Sequence, residues 1–175
     1  VLVEVRVQSL GLDRSSNTPV VILQERSGER VLPIWIGPGE ASAIAMQLAD
    51  MDFERPLTHD LLVSVLKGLG GTLDKVVISR VEKGTYYAEL LVHRNGSVIS
   101  LDARPSDSIA VALRVDARIY AEDELLERTT VEVTEEETEA PPRPEGETPP
   151  EPMGPDELKE HLRRLNPEDF GRFTP

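Results

Sequence analysis

Two short stretches carry the side chains best suited to chemistry, Pro56-Leu57-Thr58-His59-Asp60 and Asp102-Ala103-Arg104-Pro105-Ser106-Asp107. Each sets a proline, a hydroxyl and a carboxylate ahead of an apolar run of helical period. Polar side chains therefore gather where the first backbone N–H groups of a helix have no intrahelical partner. Helix starts of this kind are natural places for an anion or a hydrated metal.

In the first stretch, His59 beside Asp60 supplies the residue types of a general base or a metal ligand. Neighbours on a helix point about 100° apart, so the two do not make a dyad by themselves. Thr58 as N-cap and Asp60 as partner of the helix dipole account for the same residues without chemistry. In the second stretch, Asp102 and Asp107 are candidate ligands of a divalent cation, with Arg104 clamping a phosphate. The plainer alternative is a helix start with Asp107 in its first turn and an Arg104 to Asp107 ion pair at i, i+3. Glu40, just after Gly37-Pro38-Gly39, is open to the same two readings, since that run lacks the spacing of a phosphate-binding loop. Trp35, flanked by Ile34 and Ile36, reads as packing rather than stacking.

These stretches need a fold to position them, and 175 residues with 39% hydrophobic side chains suffice for one good core. Charge divides unevenly. Residues 1–128 hold 14 Lys+Arg against 19 Asp+Glu, net −5, and residues 129–175 hold 5 against 13, net −8. No basic run marks a nucleic-acid binder, so any phosphate binding has to come from a folded patch or a bridging cation. The absence of cysteine removes disulfides, thiolate zinc sites and a cysteine nucleophile, and fits a reducing cytoplasm. No apolar run approaches a membrane span. GxGxxG, Walker A, GxSxG, HExxH and paired CxxC patterns are all missing, which argues against dinucleotide enzymes, P-loop ATPases, α/β-hydrolases and zincins.

Val1, Val3, Val5 and Val7 alternate with other residues in the period of a half-buried strand, and residues 19–26 and 30–36 follow as a hairpin. Ala41, Ile44, Ala45 and Leu48 predict a helix over 40–51, and Leu62, Val65, Leu66 and Leu69 a second over about 58–69. A meander over 72–81, 85–93 and 97–101 turns at Lys83-Gly84 and Asn95-Gly96. Pro105 opens a third helix, a short strand covers 119–121, and a last turn of helix covers 122–127. The order predicts an α+β domain over residues 1–128, a mixed, largely antiparallel sheet with three helices packed on it. An acidic Pro/Glu-rich linker over 129–155, too poor in apolar residues to order itself, leads to a short amphipathic helix and tail over 156–175. There Leu158, Leu162 and Leu165 fall at i, i+4, i+7, ahead of Phe170 and Phe173. Such a segment either docks on a protein partner or folds back on its own domain or a sister subunit.

Three blocks in order resemble the bacterial bifunctional nuclease family: Leu32 to Ala41, Arg55 to Leu62 and Asp102 to Ala110, with Gly84-Thr85-Tyr86-Tyr87-Ala88 between the last two. The resemblance spans roughly residues 1–127. It implies an α+β domain that self-associates as a homo-oligomer and acts on both DNA and RNA. On that footing the economical chemistry is metal-assisted phosphodiester hydrolysis. Asp60, Asp102 and Asp107 would hold Mg²⁺ or Mn²⁺, His59 would move the proton, and Arg104, with Arg55 and Ser106, would bind phosphate. The competing reading is a non-catalytic regulatory or binding module whose C-terminal peptide docks a partner. Unlike some relatives, the chain does not continue into a UvrB/UvrC-type helical motif.

Overall fold

A computed structural model describes residues 1–128, and the linker and C-terminal helix expected over 129–175 lie outside them. Strands β1 (Leu2–Asp13), β2 (Thr18–Glu25) and β3 (Val31–Trp35) form one antiparallel run. Two helices follow, α1 (Pro38–Leu48) and α2 (Thr58–Gly68), and then the meander β4 (Thr72–Glu82), β5 (Thr85–Arg94) and β6 (Ser97–Ala103). Helix α3 (Pro105–Val115) crosses over to β7 (Arg118–Glu122), and residues 123–128 make a last helical turn. The expected α+β class and its mixed, mainly antiparallel sheet are present.

Sheet order is β3-β2-β1-β7-β4-β5-β6. Strand β7, the shortest signal in the sequence, lies in the middle, antiparallel to β1 and parallel to β4. Strand β1 runs five residues past the predicted alternation because a register shift between Val7 and Ser9 lets it keep pairing with β2 as far as Asp13. Asn95 and Gly96 have φ of 51° and 77°, the two positive values a type I′ hairpin demands.

One face of the sheet carries the helices. Leu23, Leu32, Ile44, Ile78, Ile109 and Leu126 are among the fully buried side chains between the layers. Ala43 and Ala45 of α1 and Ala110 and Ala112 of α3 are buried too, and such small side chains let the two helix backbones approach closely. Helix α3 packs on β4, β5 and β7, whereas α2 packs chiefly on α3 and buries only Val63. Among the described residues no helix is long and apolar enough to cross a membrane.

Two expectations need correction. Trp35 is 52% exposed: it pairs with Val20 on the face opposite the core residues Val21 and Ile34, and its Nε1–H donates to Asp13 Oδ2 at 3.0 Å. Thr58 does not cap α2. Leu57 is the N-cap, and the Asp60 carboxylate reaches back to accept the Leu57 N–H at 2.8 Å. This is the returning half of a capping box.

Candidate active site

The three helices begin at Gly37, Leu57 and Arg104, each in extended backbone, and α1 and α3 carry proline in their first turn. Their first turns bring Glu40, His59, Asp60 and Asp107 forward. Arg104 arrives directly from the end of β6.

Four of these side chains form one chain of contacts. His59 Nε2 lies 2.9 Å from Asp107 Oδ1. Arg104 Nε donates to Asp107 Oδ2 at 2.8 Å, and Arg104 Nη2 donates to Glu40 Oε1 at 2.6 Å. Burial pushes the Asp107 carboxyl up, but the hydrogen bonds from Arg104 and His59 outweigh it and hold the group below its usual range. The Arg104 guanidinium is in turn raised, first by its bond to Asp107. The His59 side chain is only 11% exposed and Arg104 is 67% exposed, so the imidazole is fixed while the guanidinium faces outward. The contact to Asp107 is made through Nε2, and Nδ1 is the other ring nitrogen. Arg104 has five N–H donors, of which two hold Glu40 and Asp107.

Asp60 belongs to a different contact. Arg114, near the end of α3, is 6% exposed and donates Nε to Asp60 Oδ1 at 2.6 Å. Its Nη1 reaches Ala110 O at 2.8 Å and its Nη2 reaches Ala43 O at 3.3 Å. One buried guanidinium thus ties the start of α2 to both α1 and α3. Burial raises the Asp60 carboxyl, but the Leu57 N–H and Arg114 more than offset that and leave it lowered.

The fold brings His59, Arg104 and Asp107 together, adds Glu40, and places the other sequence candidates elsewhere. The ion pair between Arg104 and Asp107 at i, i+3 is present. Asp102 pairs in register with Glu89 while its neighbour Leu101 pairs with buried Leu90, so strand alternation turns Asp102 to the face away from the helices. Ser106 is buried at 6% in the first turn of α3, which withdraws its hydroxyl from a surface ligand. Arg55 is exposed in the loop before α2 and makes none of the hydrogen bonds that join the group among the described residues. Arg114 was missed, because a basic residue in a last helical turn reads as a dipole partner. The alanines at 43, 45, 110 and 112 were the signal that two helices approach closely enough to enclose it.

A cation held jointly by Asp60, Asp102 and Asp107 does not fit this donor set. Both oxygens of Asp60 accept from Leu57 and Arg114, both oxygens of Asp107 contact His59 and Arg104, and Asp102 faces the other side of the sheet. Among the described residues no three His, Asp or Glu side chains stand grouped as a metal site.

A seven-stranded mixed sheet with helices on one face, and an imidazole, a carboxylate and a guanidinium joined at helix starts, is the frame of a small α+β domain with a polar cluster at its helix starts. Residues 21–134 match the model of the bifunctional nuclease domain, and the chain belongs to that family. It is 40% identical over 167 residues to an uncharacterized protein of Mycobacterium tuberculosis, a match covering 95% of this chain and 97% of the relative. It is also 25% identical over 105 residues to Bifunctional nuclease 1 of rice, Oryza sativa subsp. japonica, over 58% of this chain and 32% of that protein. The same figures hold for the bifunctional nuclease of Oryza minuta.

Proposed function

We propose that the domain hydrolyses phosphodiesters in DNA and RNA, with His59 moving the proton, Asp107 orienting it and Arg104 binding the phosphate. The observation that carries this reading is the single Asp107 carboxylate, which holds the imidazole on one oxygen and the guanidinium on the other. Asp107 fixes the ring so that Nδ1 accepts the proton of an attacking water or ribose hydroxyl. As the new P–O bond forms and the bond to the leaving oxygen breaks, the outward N–H groups of Arg104 offset the charge growing on the phosphoryl oxygens, and solvent protonates the departing oxygen. Glu40 fixes one end of the outward-facing Arg104 guanidinium.

Mg²⁺ or Mn²⁺ would compete with Arg104 and Arg114 for the carboxylates, so no step runs through a metal. A cytoplasmic setting, which the absence of cysteine fits, belongs to the same reading, and so does a homo-oligomer, on the family resemblance alone.

The full chain incubated with DNA and with RNA, in chelator and in Mg²⁺ or Mn²⁺, tests the assignment. Cleavage that persists in chelator and disappears in His59→Ala supports it. Cleavage unchanged in His59→Ala overturns it, and cleavage abolished by chelator overturns the metal-free route.

One observation favours the second reading, a binding module: Asp60 is wholly engaged in holding its own helix start and Arg114. Binding of oligonucleotide without cleavage under any of these conditions would select it.

A further inference from the structure

Helix α2 turns an apolar stripe away from its own core. Leu61, Leu62 and Val65, with Leu69 at its C-cap, fall within about 100° of helical arc. All four are exposed, Leu69 at 63%. In the same layer the edge strand β6 leaves Ile99 and Leu101 open on the helix side of the sheet, where they pair with the buried Val92 and Leu90. The C-terminal end of α2 comes up to β5, the strand paired with β6: an added Cβ at Gly71 would meet Leu66 of α2 at 2.9 Å and Val92 of β5 at 3.0 Å. Strand β6 has no proline, no lysine and no register shift to guard its free edge. An exposed apolar helix stripe and an exposed apolar edge strand on the helix-bearing side of the sheet make a docking face.

We propose that this face is covered by the C-terminal segment of the same chain, residues 156–175. That segment carries Leu158, Leu162 and Leu165 at i, i+4, i+7, followed by Phe170 and Phe173, the anchor spacing with which one helix lies in another's groove. One chain therefore holds two apolar stripes of helical spacing, and the 27 residues of 129–155 link the second to the end of the domain that carries the first. The tether starts from a fixed point, since Leu125 and Leu126 just before it are buried in the core. At full extension 27 residues reach at most about 90 Å. From β7 to β6 is three strand spacings, about 15 Å. A tether long enough to reach the face makes docking an intramolecular step, which favours the chain's own segment over a second copy at ordinary protein concentrations. The match to the mycobacterial relative, covering 95% of the chain, necessarily extends into this segment.

The chain has no cysteine, so one introduced by His161→Cys labels uniquely. A nitroxide there, on dilute ¹⁵N-labelled full-length protein, is expected to remove most of the amide signal intensity of residues 61–69 and 97–101. Leu162→Asp with Leu165→Asp in the labelled chain restores those signals. Leu62→Asp with Val65→Asp, both at exposed positions, does the same from the receiving side. Unperturbed α2 and β6 signals, or broadening confined to other elements, overturn the proposal. Broadening that arises only between a nitroxide-bearing chain and a separate ¹⁵N-labelled one also overturns it, and gives the face to a second copy. The readout is a distance within the chain, so failure of the nuclease reading leaves it untouched.

Discussion

His59 and Asp107 are 48 residues apart in the chain and 2.9 Å apart in the fold, the imidazole of one helix start resting on the carboxylate of another. In the proposed reaction this contact fixes the tautomer. We predict that His59→Ala lowers kcat on DNA and RNA by about 10²- to 10⁴-fold, the usual share of a proton-transfer group. Asp107→Asn, which keeps the shape and loses the charge, should approach the same loss. Steady-state cleavage rates, with circular dichroism to verify the fold, check both.

The two arginines of the region should separate in a stability experiment. Arg114 is 6% exposed and holds three partners, whereas Arg104 is 67% exposed. Arg114→Met leaves a partly buried carboxylate and two carbonyls short of a donor, and is expected to cost about 2–3 kcal/mol. Arg104→Met should cost less than about 1 kcal/mol, as exposed ion pairs do, while still weakening nucleic-acid binding. Urea unfolding of both variants gives the comparison.

Acid should loosen the helix starts in a defined direction. The Asp60 and Asp107 carboxyls both lie below their ordinary value of 3.8 in the folded chain, so the unfolded chain takes up protons first as pH falls. Their contribution to stability is complete above the unfolded value and is lost as pH drops through the lowered folded one. Urea midpoints measured from about pH 6 down to about pH 2 should fall more steeply in the wild type than in Asp107→Asn. Equal slopes would remove Asp107 from the acid-sensitive set.

Net charge supplies a further prediction. Residues 129–175 carry net −8, more than the −5 of residues 1–128, and such a segment repels a polynucleotide or competes with it for Arg104. Deleting 129–175 should raise affinity for single-stranded DNA and RNA at low salt, with the difference fading as salt screens it. Fluorescence anisotropy titrations at two ionic strengths measure this, and unchanged affinity at low salt would rule the repulsion out.

Most of the fold was legible because it is written in local periods. The valine alternation in β1, the leucine stripe of α2 and the Asn95-Gly96 turn each specify an element from within a few residues. The site was legible only in part. Sequence pattern marked His59, Arg104 and Asp107 as helix-start residues, but their convergence depends on the crossing of α2 over α3, which no short window encodes. Asp102 could have been turned away from the site by strand alternation alone, since Leu101 beside it follows the helix-side residues. Arg114 was hidden because its partners, Asp60, Ala43 and Ala110, come from three helices. Thr58 was misplaced as a cap because the Asp60 side chain satisfies the Leu57 N–H from inside the helix.

The central place of β7 sets the order in which the molecule can be assembled. The β1-β2-β3 and β4-β5-β6 runs each close through neighbouring segments, but within the sheet β1 and β4 are joined only through β7, a strand that leaves the ribosome after both. Until then each half presents an open inner edge, at Val3 and Val5 on one side and at Val76 and Ile78 on the other. A nascent chain stalled before Arg118 would therefore hold two half-sheets with unpaired inner edges, held together chiefly through the contacts of α1 with α3, a stage exposed to wrong pairing.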